Sequence, residues 1–221
     1  MPTLSLHHIN IALHIAAGSF AVLLGAAQLI LARGGAWHRG RGLVAILTMS
    51  LSVAAAIFGA IVFKGMVDLM GVSVLVAYQL YSASRALRLE HGGRKIADVG
   101  PALLILGAGA LLVSLTYLGA PVAWSAPKIM ATAFGLVLYG GYDALRIFHP
   151  LKLRLRISRA EHAFKMTSLV FAFGGVGVTT LLRDQTPVTP LAFSAFGLAA
   201  AAAAAWSAWP RAARKAEGDM P

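Results

Sequence analysis

The residues of this chain that could do chemistry are chiefly its histidines. The 221 residues include seven histidines and no cysteine. Without cysteine, thiolate nucleophiles, thiolate metal ligands and iron–sulfur clusters are excluded. Imidazole can still bind a metal ion or haem iron, or transfer protons near neutral pH. The question is therefore which histidines the fold brings together.

Three residues near the ends of long apolar segments form a candidate metal site. His38 precedes the second segment, His162 opens the sixth, and Asp143 lies about one turn before the end of the fifth. If these ends lie at one membrane depth, two histidines and a carboxylate are a ligand set that catalytic Zn²⁺ accepts, with a position left for water. His38, His162 and Asp143 are therefore predicted to bind a metal ion, with zinc as the first candidate.

The same residues also have ordinary structural interpretations. Asp143 would pair with Arg146 or Arg39, a helix dipole would favour Glu161 in a first turn, and His38 would cap its helix. The sequence contains no HExxH motif or other metal-binding spacing that would decide the matter. Both interpretations stay open at this point.

Haem b is the second candidate cofactor, because two histidines on facing helices at equal depth can be its axial ligands. His14 and His38 are a poor pair, since the straight helix from Leu13 to Ile30 would rise about 27 Å. His38 and His162, at the same predicted membrane edge, are the candidate pair that remains.

Four further polar residues are candidates because polar side chains inside a membrane are rare and often functional. His14 and Gln28 lie in the first apolar segment, Asp68 lies near the outer end of the third, and Arg39 adjoins His38. Asp68 is the acid expected to reach His14. The alternative for His14 is a hydrogen-bonded interior side chain with a structural role.

The segments that must position these residues are long and apolar. Hydrophobic residues make up 58% of the chain and charged residues 12%, about half the charged share of a soluble domain. A helix needs about 20 apolar residues to cross a bilayer. Seven stretches approach this requirement: 11–32, 43–63, 67–87, 100–118, 126–148, 161–182 and 190–209. The prediction is an all-α membrane helix bundle of seven transmembrane helices, forming one domain over residues 1–221.

The distribution of charge predicts the orientation of this bundle. Lys and Arg number 19 against 8 Asp and Glu, and the basic residues concentrate in alternate connections. The positive-inside rule then places the N-terminus outside and the C-terminus inside. Topology explains the net charge of +11 without nucleic acid, because the basic stretches lack interleaved aromatic residues for base stacking. The predicted partners are the lipid bilayer and its anionic headgroups. Residues 151–157 are expected to lie extended on the headgroups or to form a short helix extension.

One pattern resembles a family of bacterial membrane proteins known as a domain of unknown function. In the first two segments the pattern consists of His14, Gly18, Gly25, Gln28, His38-Arg39 and Gly42, and His162 with Met166 resembles a later part of it. Family members often have arginine after the methionine, where this chain has Thr167. The resemblance implies a multi-helix protein of the bacterial inner membrane and no particular activity.

Three functions are compatible with these features. The first is a redox or binding protein that holds a metal ion or haem at a cytoplasmic-edge site. The second is a membrane-embedded hydrolase in which the metal activates water, although three firm histidine ligands are lacking. The third is a scaffold or small-solute transporter without a cofactor. The sequence does not decide whether the protein is an enzyme.

Overall fold

The described part of the structure, a computed structural model, is entirely helical apart from its connections. It covers residues 2–31, 35–64, 67–88, 99–120, 122, 126–146, 148–181 and 188–218. Within these ranges there are seven α-helices and no strands. The helices are α1 (Pro2–Ile30), α2 (Ala36–Gly59), α3 (Val67–Arg88), α4 (Val99–Tyr117), α5 (Ala126–Arg146), α6 (Leu151–Leu181) and α7 (Val188–Gly218); a π-helical turn, Ala60–Lys64, continues α2. The all-α prediction is confirmed.

In the part of the chain that the structure describes, four stretches of helix are long and apolar enough to cross a membrane. They are Ser5–Ile30, Ala36–Phe63, Val99–Tyr117 and Ala192–Trp209, in α1, α2, α4 and α7. Helices α3, α5 and α6 are not in this set, although each overlaps one of the seven predicted spans. Of the seven predicted spans, four are thus supported, because the corresponding helices are long and apolar enough. The other three helices do not combine this length with sufficient hydropathy.

Helix α6 is longer than the predicted sixth span. It begins at Leu151, so residues 151–157 are helical, and of the two predicted conformations the extended one is wrong. The reason lies in the helical period. Arg154, Ser158, Glu161 and Lys165, spaced by four, three and four residues, are all buried and share one face of α6. This polar face is hard to recognise in the sequence, because apolar and basic residues alternate over residues 151–157.

Helices α3 and α6 occupy the interior of the bundle. Helix α3 packs against α2, α4, α5 and α6, and α6 packs against α1, α3 and α7. One apolar core, around Met49 and Leu169, joins α1, α2, α3 and α6. A second core, around Ile129 and Leu136, joins α3, α4 and α5. Large apolar side chains such as Leu104 and Phe196 are exposed on the outside, as a lipid-facing surface requires.

Glycines allow close approach between neighbouring helices. A Cβ added at Gly140 of α5 would lie 2.9 Å from the backbone oxygen of Ala102 in α4. A Cβ at Gly25 of α1 would lie 2.5 Å from Val170 Cγ2 in α6. Small residues at such contacts are typical of helix packing in membranes. They bring α4 close to α5 and α1 close to α6.

Candidate functional site

Lys165 lies at the centre of a buried cluster of charged residues. Its side chain is only 2% exposed. The Nζ atom donates hydrogen bonds to Asp143 Oδ1 at 2.5 Å, to Glu161 Oε1 at 2.6 Å and to Ser82 Oγ at 2.5 Å. A lysine ammonium has three N–H donors, so all three are used. The charge is therefore held by helices α3, α5 and α6 together.

A second cation completes this group. Arg146 Nε lies 2.7 Å from Glu161 Oε2, and both side chains are buried. We call Asp143, Arg146, Glu161 and Lys165 the ion cluster. Its two positive and two negative charges cancel. This balance is what allows charges to be buried, since an unpaired ion in the interior costs several kcal/mol.

Two neutral side chains of α3 donate hydrogen bonds to Asp143. The Tyr78 hydroxyl donates to Asp143 Oδ2 at 2.8 Å, and the Ser82 hydroxyl donates to the same oxygen. Tyr78 and Ser82 are four residues apart, as are Glu161 and Lys165, so each pair lies on one helix face. The cluster thus forms where one face of α3 meets one face of α6 beside the end of α5.

Aromatic residues surround the lysine. The Tyr142 ring lies 5.1 Å from Lys165 Nζ, within the range of a cation–π contact. The hydroxyls of Tyr139 and Ser168 are 2.5 Å apart, and Ser168 Oγ donates to the Lys165 backbone oxygen at 3.0 Å. Because the serine proton is used in that bond, Tyr139 donates to Ser168. These contacts fix the tyrosines at the edge of the cluster.

A cavity of about 650 Å³ adjoins the ion cluster, lying over α6 between α5 and α7. Glu161 and Lys165 are its ionic residues. The aromatic residues in its walls are Tyr139, Tyr142, Phe164, Trp206 and Trp209. Because Trp206 is 82% exposed, the cavity opens at the molecular surface beside α7. We call it the α5–α7 groove. Its walls are apolar, and the two ionic residues are almost fully buried beneath its surface. Apolar concave sites of this kind are typical of small-molecule binding.

Two residues of the predicted metal site, Asp143 and His162, have other partners in the structure. Asp143 is bound to Lys165, whereas His162 Nδ1 contacts the Ala83 carbonyl at 2.8 Å. In the described ranges, no group of three or more histidines and acids is arranged to hold a metal ion. The carboxylate that the prediction assigned to the metal therefore belongs to the ion cluster.

The predicted structural roles of the two acids also differ from those observed. Asp143 pairs with Lys165 rather than with Arg146 or Arg39, and Arg39 is exposed at the start of α2. Glu161 lies well inside α6, which starts ten residues earlier, so no helix N-terminus is available to it. Arg146 pairs instead with Glu161.

Polar residues of the first apolar segment join α1 to α2. His14 Nδ1 contacts the Ser52 carbonyl at 2.9 Å, and Ser52 Oγ donates to the His14 carbonyl at 3.0 Å. Gln28 Nε2 donates to the His38 carbonyl at 2.8 Å. This placement agrees with a structural role for His14. Asp68 is buried near the start of α3, and its predicted approach to His14 stays a prediction.

The sequence analysis missed Lys165 as the central residue. The one available signal was the spacing of polar pairs in two segments, Tyr78 with Ser82 and Glu161 with Lys165. That signal shows which residues share a helix face. It does not show that the two faces meet, or that Asp143 approaches both.

Over its described residues, the chain is thus all-helical, with four membrane-length apolar helices and a buried, charge-balanced cluster beside an aromatic groove. No family model, curated protein or solved structure matches the chain.

Proposed function

We propose that this chain is a polytopic protein of the bacterial inner membrane that binds a small amphipathic molecule in the α5–α7 groove. We include in this proposal the predicted seven spans, with the N-terminus outside and the C-terminus inside. The observation that carries the binding function is the groove itself, in which aromatic walls meet the Glu161–Lys165 ion pair.

The ion cluster supports membrane insertion of the three more polar helices. Asp143 and Arg146 of α5 and Glu161 and Lys165 of α6 neutralise one another in the interior, and α3 supplies hydrogen bonds to Asp143. Charged groups within membrane segments are tolerated when they face the bundle and pair. Helices α3, α5 and α6 can therefore span the bilayer without exposing these charges to lipid.

The walls of the groove support a ligand that comes from the bilayer. Its opening lies beside α7, one of the four membrane-length apolar helices. Trp206 and Trp209 stand at that opening, and tryptophan favours the interface between lipid and water. A ligand with an apolar body would lie between these rings, above the buried ion cluster. A volume of about 650 Å³ is in the range of small-molecule sites.

Tryptophan fluorescence provides the test. Bromoundecanol carries bromine at the end of an apolar tail, and bromine quenches nearby indoles. With the purified protein in detergent, we expect saturable quenching from Trp206 and Trp209. The Ala205→Phe variant should lose the saturable component, because Ala205 lines the groove and the larger ring would fill it.

The matched control is Ala203→Phe, in the same alanine run. Ala203 is exposed and is not part of the groove lining, so this variant should quench as the wild type does. Non-saturable quenching that is equal in all three proteins would show only partition into detergent, and the proposed function would be wrong.

Haem or metal binding at His38 and His162 is a second candidate, favoured by one observation. A carbonyl oxygen only accepts hydrogen bonds, so the contact with Ala83 makes His162 Nδ1 the protonated nitrogen and leaves a lone pair on Nε2. Histidine ligands of metals commonly have this arrangement. A Soret band that is lost in His38→Ala and His162→Ala but kept in His91→Ala would support haem, and stoichiometric zinc with the same pattern would support a metal site. If protein expressed with haem and zinc supplied shows neither a Soret band nor stoichiometric zinc, this candidate is eliminated.

A further inference from the structure

The hydroxyl and charged groups inside the α5–α7 groove are already engaged within the protein. Lys165 uses its three N–H groups on Ser82 and on the two acids of the ion cluster. The Tyr142 hydroxyl is hydrogen-bonded to Glu161, and the Tyr139 hydroxyl donates to a serine of α6. Glu161 and Lys165 are also almost fully buried. A polar head group placed in the groove would lose its hydration without finding an unused donor or counter-charge among these residues, which is unfavourable.

The groove follows the axes of the helices that line it. Its lining extends from Ile157 to Lys165 on α6 and from Ala202 to Trp209 on α7. At a rise of 1.5 Å per residue, these stretches are about 12 and about 10 Å long. The membrane-length apolar stretch of α7 ends at Trp209, and tryptophan favours the interface between lipid and water. The groove therefore runs from this interface toward the interior of the bilayer, which is the direction in which lipid chains lie.

The width of the groove distinguishes between two apolar occupants, a helix of another protein and a hydrocarbon chain. Spread over about 12 Å, the volume of about 650 Å³ corresponds to a mean cross-section of about 55 Å². A helix with its side chains is about 10–12 Å wide, which corresponds to about 80–110 Å². A helix would therefore fit only if α5 and α7 moved apart, whereas an extended hydrocarbon chain is thin enough to enter.

We propose that the α5–α7 groove holds one acyl chain of a membrane lipid, whose head group stays outside the groove at the level of Trp206 and Trp209. The lipid comes from the leaflet at the C-terminal end of α7. The protein then recognises the chain and is indifferent to the charge of the head group, because the ion cluster is neutral and buried. This inference rests on the proposed function, because it requires that the groove binds an amphiphile at all.

Native mass spectrometry of the protein released from lipid nanodiscs tests this inference. The nanodiscs contain equal parts of phosphatidylethanolamine, phosphatidylglycerol and phosphatidylcholine with identical acyl chains. We expect the wild type and Ala203→Phe to retain one more lipid per chain than Ala205→Phe, in which the new ring fills the groove. The lipid that depends on Ala205 should include the three head groups equally, within about twofold, because a head group outside the groove contributes no difference in binding free energy.

The outcomes separate the two proposals. If one head group is enriched about tenfold in the lipid that depends on Ala205, the protein reads the head group and the inference is wrong. If no lipid depends on Ala205 but the quenching by bromoundecanol does, the groove binds a different amphiphile, so the inference fails and the proposed function stands. If neither depends on Ala205, the proposed function fails as well. Ala202→Phe, at another position in the groove lining, takes the place of Ala205→Phe if that variant does not fold.

Discussion

At the scale of single residues, Lys165 is the cation on which the buried ion cluster depends. Its ammonium joins a carboxylate of α5, a carboxylate of its own helix and a hydroxyl of α3, all within 2.6 Å. Breaking a buried ion pair leaves the partner uncompensated, which costs more than the pair contributes when intact. The two acids therefore depend on Lys165.

Replacing this lysine tests that dependence. Lys165→Met keeps most of the side-chain volume but leaves Asp143 with the Tyr78 and Ser82 hydroxyls and Glu161 with Arg146 as its paired cation. We expect the free energy of unfolding to fall by about 3–5 kcal/mol, measured by titrating the detergent-solubilised protein with a denaturing detergent. Arg41→Met is the control, because Arg41 bonds the Trp37 carbonyl at an exposed site. A loss below about 1 kcal/mol for Lys165→Met would contradict a cluster in which the acids need this cation.

At the scale of elements, the helices divide into two groups. Helices α1, α2, α4 and α7 contain membrane-length apolar stretches, and α3, α5 and α6 contain the polar cluster. Helix α3 packs against four other helices. The charged residues of the ion cluster on α5 and α6 meet one another and the Tyr78 and Ser82 hydroxyls of α3, so contacts between these helices explain the polar residues that form the cluster.

Close packing of α4 on α5 positions the end of the helix that carries Asp143. Gly140→Ala should lower the free energy of unfolding by about 1–3 kcal/mol, because the new methyl group would meet the backbone oxygen of Ala102 at 2.9 Å. Gly107→Ala on α4 is the matched control, since no atom lies within 4 Å of its added Cβ. We expect Gly107→Ala to be neutral or stabilising by up to about 1 kcal/mol, because alanine favours the helix. Equal effects of the two substitutions in the same unfolding assay would refute the close α4–α5 contact.

At the scale of the whole molecule, orientation is the property that the charge distribution predicts. Alkaline phosphatase, which is active only outside the cytoplasm, should be inactive when fused after Pro221 and active when fused after Ala120, in the connection between α4 and α5. A green fluorescent protein at the same positions should give the opposite pattern. Activity of the phosphatase after Pro221 would reverse the orientation, and equal activity at both sites would change the number of spans between them.

The sequence by itself determined the helices, because a long apolar segment bounded by glycine, proline or charge is a local property. All seven predicted segments overlap helices of the described chain, and the boundary that differs most is the start of α6. There the local pattern of alternating basic and apolar residues allowed two conformations. The burial of Arg154 and Ser158 inside the bundle accompanies the helical one.

Only the tertiary structure decided which polar residues meet. Asp143 was predicted beside two histidines because all three lie near helix ends, yet it faces Lys165. Membrane depth follows from position along a helix, whereas pairing also depends on how each helix is rotated about its axis and which helices are neighbours. Neither the rotation of a helix about its axis nor the identity of its neighbours can be read from a local sequence pattern. The packing of α5 and α6 against α3 supplies them where the ion cluster forms, and the groove lies beside this cluster between α5 and α7.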